Sequence, residues 1–154
     1  MTEIVAFAFY GEAIAKGRPR SRTFKVGEHT RVQTYTPGRT VSFEGKVRAI
    51  AKVAMQSDGS APTPDAVLVS LAFDRKMPAG WSRSKVLAMR GEPVAVGADL
   101  DNQVKAVLDA LNGVVWEDDK QVSDLAVSRR WADEHGFRIS VTLADGPGVL
   151  AEVA

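Results

Sequence analysis

Residues 99–113 constrain the fold most, because a helical pattern of apolar residues begins at Leu100, between the carboxylates of Asp99 and Asp101. The apolar side chains recur at helical spacing, and Asn112-Gly113 provides a stop signal. One face of this helix would carry Asp101, Lys105 and Asp109 at successive i, i+4 positions. The segment therefore predicts an amphipathic helix with charged groups along one side. Its apolar positions are Leu100, Val104, Val107, Leu108 and Leu111.

The carboxylates around this helix allow two interpretations. Asp99 and Asp101 carry hard oxygen ligands of the kind that Mg²⁺ prefers, and Lys105 could stabilise a phosphate or orient a water. Alternatively, one aspartate only caps the helix, and Asp101 and Lys105 form an ordinary i, i+4 pair. A second acidic pair, Asp118-Asp119, follows an apolar run at a point where the chain could return to the helix. This second pair favours the metal-site interpretation.

Residues 99–122 resemble the signature of the RusA-type Holliday-junction resolvases, which are small endodeoxyribonucleases common in phages and prophages. The resemblance is carried by Asp99-Leu100-Asp101-Asn102, Lys105, Asp109-Ala110-Leu111-Asn112-Gly113 and Trp116-Glu117-Asp118-Asp119-Lys120-Gln121-Val122. A looser resemblance covers Lys16-Gly17-Arg18-Pro19-Arg20, Tyr35-Thr36-Pro37 and Thr40. The resemblance implies magnesium-dependent cleavage of branched DNA by a homodimer, in DNA recombination and repair.

The resemblance also implies roles for individual residues of the segment. By position, the catalytic carboxylates are Asp99, Asp101 and Asp119, and the catalytic lysine is Lys105. The same three aspartates would bind Mg²⁺, with Mn²⁺ as a substitute, and Asp118 is the alternative to Asp119 as a metal ligand. The family often has proline or a basic residue before the first aspartate, whereas this chain has Ala98.

The composition is that of an ordinary globular chain, and it excludes several other chemistries. The 154 residues fit a single domain, in which we expect residues 145–154 to be a loose tail. The absence of cysteine excludes disulfides and thiolate zinc sites, and His29 and His135 are expected at the surface. No P-loop and no G-x-S-x-G motif occurs. Because no long apolar run or signal-peptide pattern is present, we expect a cytoplasmic protein without membrane association.

Positive and negative charge are separated along the chain. Residues 1–60 carry a net charge of +5 and residues 61–98 carry +2, whereas residues 99–154 carry −6. The glycines and prolines of residues 16–39 predict a loop or irregular ribbon, which could be merely solvated or could grip phosphates. Phe24 and Tyr35 are available to pack on sugar or base. We interpret the segment as a DNA-binding arm that acts through Lys16, Arg18, Arg20, Arg22 and Lys25.

The rest of the chain alternates strand and helix patterns. Strands are predicted at residues 3–10, 66–73, 122–131 and 137–143. A helix is predicted from Thr40, as its N-cap, to about Gln56, and a shorter helix at residues 82–90 would be capped by Ser82. The long helix would expose an i, i+4 ladder of Glu44, Arg48 and Lys52. Together the elements predict a single small α+β domain, a mixed β-sheet with two principal helices packed on one face.

Two other classes of function remain open from the sequence. The chain could be a DNA-binding protein without catalysis, in which the acids are structural, or another D-x-D metal-dependent phosphotransferase. A homodimer is expected because paired symmetric cuts in a four-way junction need two cutting centres. The candidates for its interface are Trp116, Trp131 or the open edge of the last strand, and Trp81 is interpreted as a packing residue.

Overall fold

A computed structural model describes residues 2–35, 37–57 and 61–148, which form six strands, three α-helices and one 3-10 helix. In chain order the elements are β1 (Glu3–Tyr10), β2 (Arg20–Val26), β3 (His29–Tyr35), α1 (Gly38–Ser57), β4 (Val67–Lys76), α2 (Arg83–Met89), α3 (Leu100–Leu111), the 3-10 helix (Asp119–Gln121), β5 (Val122–Ala132) and β6 (Gly136–Leu143). Every strand and helix predicted from the sequence is present, and β2 and β3 are additional.

The main sheet is mixed, as predicted, and its strand order is β1-β6-β4-β5. β6 pairs antiparallel with both β1 and β4, whereas β4 and β5 are parallel. A parallel pair needs a crossover connection, and here the crossover contains α2 and α3. The topology therefore places α3, the helix that follows Asp99, in the connection between the parallel strands β4 and β5.

One face of this sheet carries the hydrophobic core, and α1 and α3 cover it. Phe137 of β6 lies at its centre, with its ring stacked on Phe9 at 5.1 Å and edge-on to Phe73 at 5.8 Å. Phe43 of α1 completes the aromatic group, edge-on to Phe9 at 5.3 Å. Val107 and Leu111 of α3 are fully buried in the same cluster. The α+β prediction with two principal helices on one face is confirmed.

The basic segment differs from its prediction as an irregular ribbon. β2 and β3 pair in register from Arg20 with Tyr35 to Val26 with His29, and they form a separate two-stranded sheet, the basic hairpin. Gly27 adopts a left-handed φ of 62° at the turn, which a glycine tolerates without strain. Every residue of both strands is exposed, so the hairpin does not pack on the main sheet.

Two predictions for α1 are wrong. Thr40 lies inside the helix rather than capping it, and its buried Oγ1 accepts a hydrogen bond from the Gly17 amide at 3.1 Å. The exposed ladder is also absent, because Glu44 contacts Lys16 and Arg48 donates to the carbonyl of Ala110 at 3.1 Å. Both side chains face neighbouring segments, since this side of α1 packs against α3.

The three candidates for a dimer interface are also wrong. Trp116 is fully buried, and its Nε1 donates to Asn112 Oδ1 at 2.8 Å. Trp131 is 6% exposed, and Trp81 packs edge-on against it at 4.9 Å, as the packing interpretation of Trp81 predicts. The last strand, β6, has no open edge because it lies between β1 and β4.

Several smaller predictions can also be compared with the structure. Ser82 caps α2 as predicted, since its Oγ accepts from the Lys85 amide at 3.2 Å. His29 is exposed, whereas His135 is half-buried and its Nδ1 accepts from the Lys76 amide at 3.2 Å. Residues 145–148 of the predicted tail form no helix or strand, and residues 149–154 lie outside the described residues. No helix in the described part of the chain is long and apolar enough to span a membrane.

The aromatic group predicts a large loss of stability when its central ring is removed. We expect Phe137→Ala to lower the free energy of unfolding by about 3–5 kcal/mol, because the cavity cannot collapse between sheet and helix. Urea denaturation followed by circular dichroism measures this loss. Phe24→Ala, at an exposed hairpin position, is the matched control and should change stability by less than about 1 kcal/mol. A similarly small loss in Phe137→Ala would contradict this account of the core.

Candidate functional site

The start of α3 is anchored by backbone contacts that leave its acidic side chains exposed. Gln103 is buried, and its Nε2 donates to the carbonyl of Ala13 at 2.9 Å. The Lys16 amide donates to the carbonyl of Asn102 at 2.8 Å. Asp99 occupies the N-cap position, but its side chain makes no capping hydrogen bond. Capping therefore does not account for the carboxylate of Asp99, although the helix dipole still favours a negative charge there.

Lys105 is held between two carboxylates. Its Nζ lies 2.9 Å from Asp109 Oδ1 and 2.6 Å from Asp119 Oδ2. Within the described residues, Lys105 makes no ion pair with Asp101, so the i, i+4 alternative applies to Asp109 instead. Hydrogen bonds to Asp109 and Asp119 raise the pKa of Lys105 well above its usual value. These two carboxylates therefore favour the charged form of the ammonium.

Asp109 links this lysine to the N-terminal segment. Its other oxygen, Oδ2, lies 3.1 Å from Lys16 Nζ, which is also 2.6 Å from Glu44 Oε1. Burial alone would raise the pKa of Asp109, but hydrogen bonds from Lys105 and Lys16 outweigh it, and the pKa is lower than its ordinary value of 3.8. The structure thus places Lys16, which the sequence assigned to DNA contact, in a partly buried ion-pair chain. Spacing placed Asp109 on the same helix face as Lys105, although the pair named from the sequence was Asp101 with Lys105, and it gave no signal for Lys16 and Glu44.

The two aspartates of the second acidic pair have different surroundings. Asp118 Oδ1 accepts from the Lys120 amide at 2.9 Å, while Gln121 Oε1 accepts from the Asp118 amide at 2.9 Å. These reciprocal bonds form a capping box at the 3-10 helix. The backbone hydrogen bond from Lys120 lowers the pKa of Asp118. Asp118 therefore has a structural function, and Asp119 is the residue that faces Lys105.

Three of the predicted ligands do not converge. Within residues 2–35, 37–57 and 61–148, no group of three histidine, cysteine or acidic side chains is close enough to hold a metal ion. Helix geometry explains this, because Asp99 precedes α3 whereas Asp119 contacts Lys105, which lies ~9 Å farther along the helix axis than Asp99. The donor set nevertheless fits Mg²⁺, which commonly takes only one or two carboxylates and fills its octahedron with waters and phosphate oxygens.

Two arginines that the sequence analysis did not assign to the site contact Gly97 and Ala98, the two residues that precede Asp99. Arg129 of β5 donates from Nη1 to the carbonyl of Ala98 and, at 2.9 Å, to Gln103 Oε1. Burial and then the charge of Arg75 lower the pKa of Arg129, while Asp99 acts in the opposite direction. The guanidinium of Arg75, on β4, lies against Gly97. Only the register of β4 and β5, which pairs Phe73 with Arg129, brings them together, and a sequence pattern does not show register.

The remaining predicted DNA-binding residues are exposed on or before the basic hairpin. Arg20, Arg22 and Lys25 lie on β2, and Arg18 precedes it. Arg22 Nε and Nη2 donate to Gln33 Oε1 at 2.9 and 2.7 Å, and its guanidinium lies 5.8 Å from the centre of the Tyr35 ring. The hairpin thus presents positive charge to solvent on a regular, two-stranded support.

This arrangement is that of a mixed α+β domain with an acidic helix, a basic hairpin and a lysine held between carboxylates. A family model described as endodeoxyribonuclease RusA matches residues 11–143, which include all of these features. The chain therefore belongs to the RusA endodeoxyribonuclease family. It is also 32% identical, over 143 residues, to a Bacillus subtilis (strain 168) protein described as uncharacterized protein YqaN, a match that covers 90% of this chain and 96% of that protein.

The ion-pair chain predicts a pH-dependent contribution of Asp109 to stability. We expect Asp109→Asn to lower the free energy of unfolding by about 1–3 kcal/mol at pH 7, because two lysines lose a partly buried partner. Since the folded-state pKa of Asp109 is lowered, this contribution is present above pH 3.8 and is lost as the pH falls towards the folded-state pKa.

The wild type and Asp109→Asn should therefore converge in stability as the pH falls below about 4, as measured by urea denaturation across that range. Asp133→Asn, which removes an exposed partner of Arg90, is the control and should cost less than about 1 kcal/mol at any pH. Parallel stability curves for the wild type and Asp109→Asn would contradict the role given to Asp109.

Proposed function

We propose that this protein is a magnesium-dependent, structure-selective endodeoxyribonuclease that resolves Holliday junctions by paired phosphodiester hydrolysis. The observation that carries the proposal is the position of Lys105, held by Asp109 and Asp119 within the span that matches the nuclease family. An ammonium held by two partly buried carboxylates is suited to a reaction in which negative charge develops on phosphoryl oxygens.

The proposed metal ligands are Asp99 and Asp101, joined by Asp119 when that side chain leaves Lys105 and turns towards the cation. The first two are exposed at the start of α3, and neither forms an ion pair with a described residue that would compete for a cation. Mg²⁺, or Mn²⁺ in its place, would lower the pKa of a bound water and neutralise charge on the scissile phosphate. Asp118 is the weaker candidate, because its carboxylate already accepts a backbone hydrogen bond.

Lys105 would neutralise charge on the phosphoryl oxygens or orient the attacking water. Asp109 positions it, because it contacts Nζ from the same helix while its second oxygen is fixed by Lys16. With Asp109 in place, Lys105 keeps one partner if Asp119 turns towards a cation. The basic hairpin would supply affinity through phosphate contacts from Arg18, Arg20, Arg22 and Lys25, with Tyr35 available for stacking.

A DNA-binding protein without catalysis is the second candidate. The observation that favours it is the contact of Asp119 with Lys105, since an ion-paired carboxylate can be purely structural. Cleavage of a synthetic four-way junction, compared with a linear duplex of the same sequence, with and without Mg²⁺, separates the two candidates.

Removing one carboxylate should separate binding from cleavage. We expect Asp101→Asn to abolish junction cleavage while junction affinity stays equal or becomes tighter, because a metal ligand and a negative charge facing DNA are both lost. Gel assays of cleavage and fluorescence anisotropy of binding measure the two effects. Asp145→Asn removes the same charge from an exposed position after β6 and should leave cleavage unchanged. Cleavage by Asp101→Asn at the wild-type rate would exclude this residue as a ligand.

We also propose that the working unit is a homodimer, because a two-fold symmetric junction is matched most simply by a two-fold symmetric protein. Light scattering at micromolar concentration should give about twice the chain mass of 16.6 kDa. Mixed dimers of wild type with Asp101→Asn should nick junctions without resolving them, which denaturing and native gels distinguish. A monomer that still makes paired cuts would refute this coupling of the two incisions.

A further inference from the structure

A cavity of about 440 Å³ lies between the base of the basic hairpin, the start of α1 and the segment that leads to Asp99. Arg20, Arg39 and Arg75 line it from these three directions, and Glu12 is the acidic residue of the lining. Its volume is in the range of ligand sites, ~300–1,000 Å³. The positive lining indicates an anionic ligand.

The arginines of this cavity are poorly neutralised. Arg39 reaches Glu12 only at 3.5 Å, and both side chains are largely exposed, so the pair contributes little. Within the described part of the chain, no carboxylate lies within 4.0 Å of the guanidinium of Arg20 or Arg75. Arg129, next to Arg75, adds a second positive charge. An anion in the cavity would relieve this accumulation of like charge.

Arg75 packs against two neighbours, which restrict the positions of its guanidinium. Its guanidinium lies so close to Gly97 that an added Cβ there would clash with Nη1. The guanidinium also lies 5.7 Å from the centre of the Trp131 ring. A fixed, planar guanidinium binds phosphate oxygens at a lower entropic cost than a mobile one. Gly97 also has a left-handed φ of 91°, so both its conformation and its contact favour glycine.

We propose that this cavity binds a backbone phosphate of the DNA strand that is cut, next to the scissile phosphate. Gly97 and Ala98 line the cavity and Asp99 follows them directly, so a strand that passes the carboxylates would present a neighbouring phosphate here. Arg20 places the basic hairpin at the other side of the same cavity. The inference rests on the proposed nuclease function and adds a specific site, Arg75 with Arg20 and Arg39, to it.

The test measures junction binding without Mg²⁺, so that it does not depend on cleavage. We expect Arg75→Gln to weaken binding roughly tenfold and to reduce the slope of log K against log salt by ~0.9, the value for one phosphate contact. Arg75→Lys should retain the slope while losing part of the affinity. Lys52→Gln, at an exposed position of α1, is the control for charge alone. Arg75→Gln with the affinity and slope of Lys52→Gln would overturn the proposal.

Junctions with a single neutral methylphosphonate, moved stepwise along the cut strand, locate the phosphate. One position should weaken wild-type binding but have no further effect on Arg75→Gln. Arg20→Gln changes an exposed hairpin residue and does not depend on the packing of Arg75, and a methylphosphonate at the same position should not weaken its binding further. The same methylphosphonate should still weaken binding by Arg22→Gln. Different positions for Arg20 and Arg75 would refute a shared site. If the wild type cleaved no junction in the presence of Mg²⁺ while these binding results held, the proposed nuclease function would fail and the cavity would stand as a DNA phosphate site.

Discussion

The bridge that Asp109 makes between Lys16 and Lys105 is the interaction on which the site depends. It joins three parts of the chain that are distant in sequence, because Lys16 also contacts Glu44 of α1, and Lys105 also contacts Asp119 before β5. Partly buried charges of this kind need their partners, since the removal of one leaves another without compensation. The side chains proposed to act on DNA are therefore positioned by the same contacts that attach α3 to the N-terminal segment.

The sheet topology decides where these charges meet. Because β4 and β5 are parallel, their carboxyl ends lie at the same end of the sheet. The two strands thereby bring Arg75 and Arg129 close to the start of α3. The other end of β5 follows the 3-10 helix that carries Asp119. The crossover thus brings the positive charge of Arg129 near Asp99, at the start of α3. It brings the carboxylate of Asp119 to Lys105, farther along the same helix.

The local sequence pattern was sufficient to predict the helices and strands of the main domain, but it was insufficient to predict the side-chain contacts between them. The periodic apolar residues of α3 predicted its bounds closely, and the alternation of apolar and polar residues predicted β1, β5 and β6. Both patterns can be recognised because each depends only on residues close together in sequence. Thr40 was mistaken for an N-cap because its burial depends on a hydrogen bond from distant Gly17. Lys16 was assigned to DNA for the same reason, since its partners are contributed by two helices. The arginine pair depends on strand register, which no pattern in β4 or β5 specifies.

The separation of charge along the chain takes on a physical meaning once the fold is known. A cluster of carboxylates that binds cations repels a phosphodiester backbone until the cations are bound. Basic residues far from the cluster would attract DNA but would be screened beyond about 10 Å at ordinary ionic strength. Arg75 and Arg129 are closer, because they contact Gly97 and Ala98, which precede Asp99, and their partial burial reduces screening. In the proposed function, positive charge contributed by the sheet next to Asp99 would therefore help a DNA strand to approach the carboxylates, in addition to the attraction by the exposed hairpin.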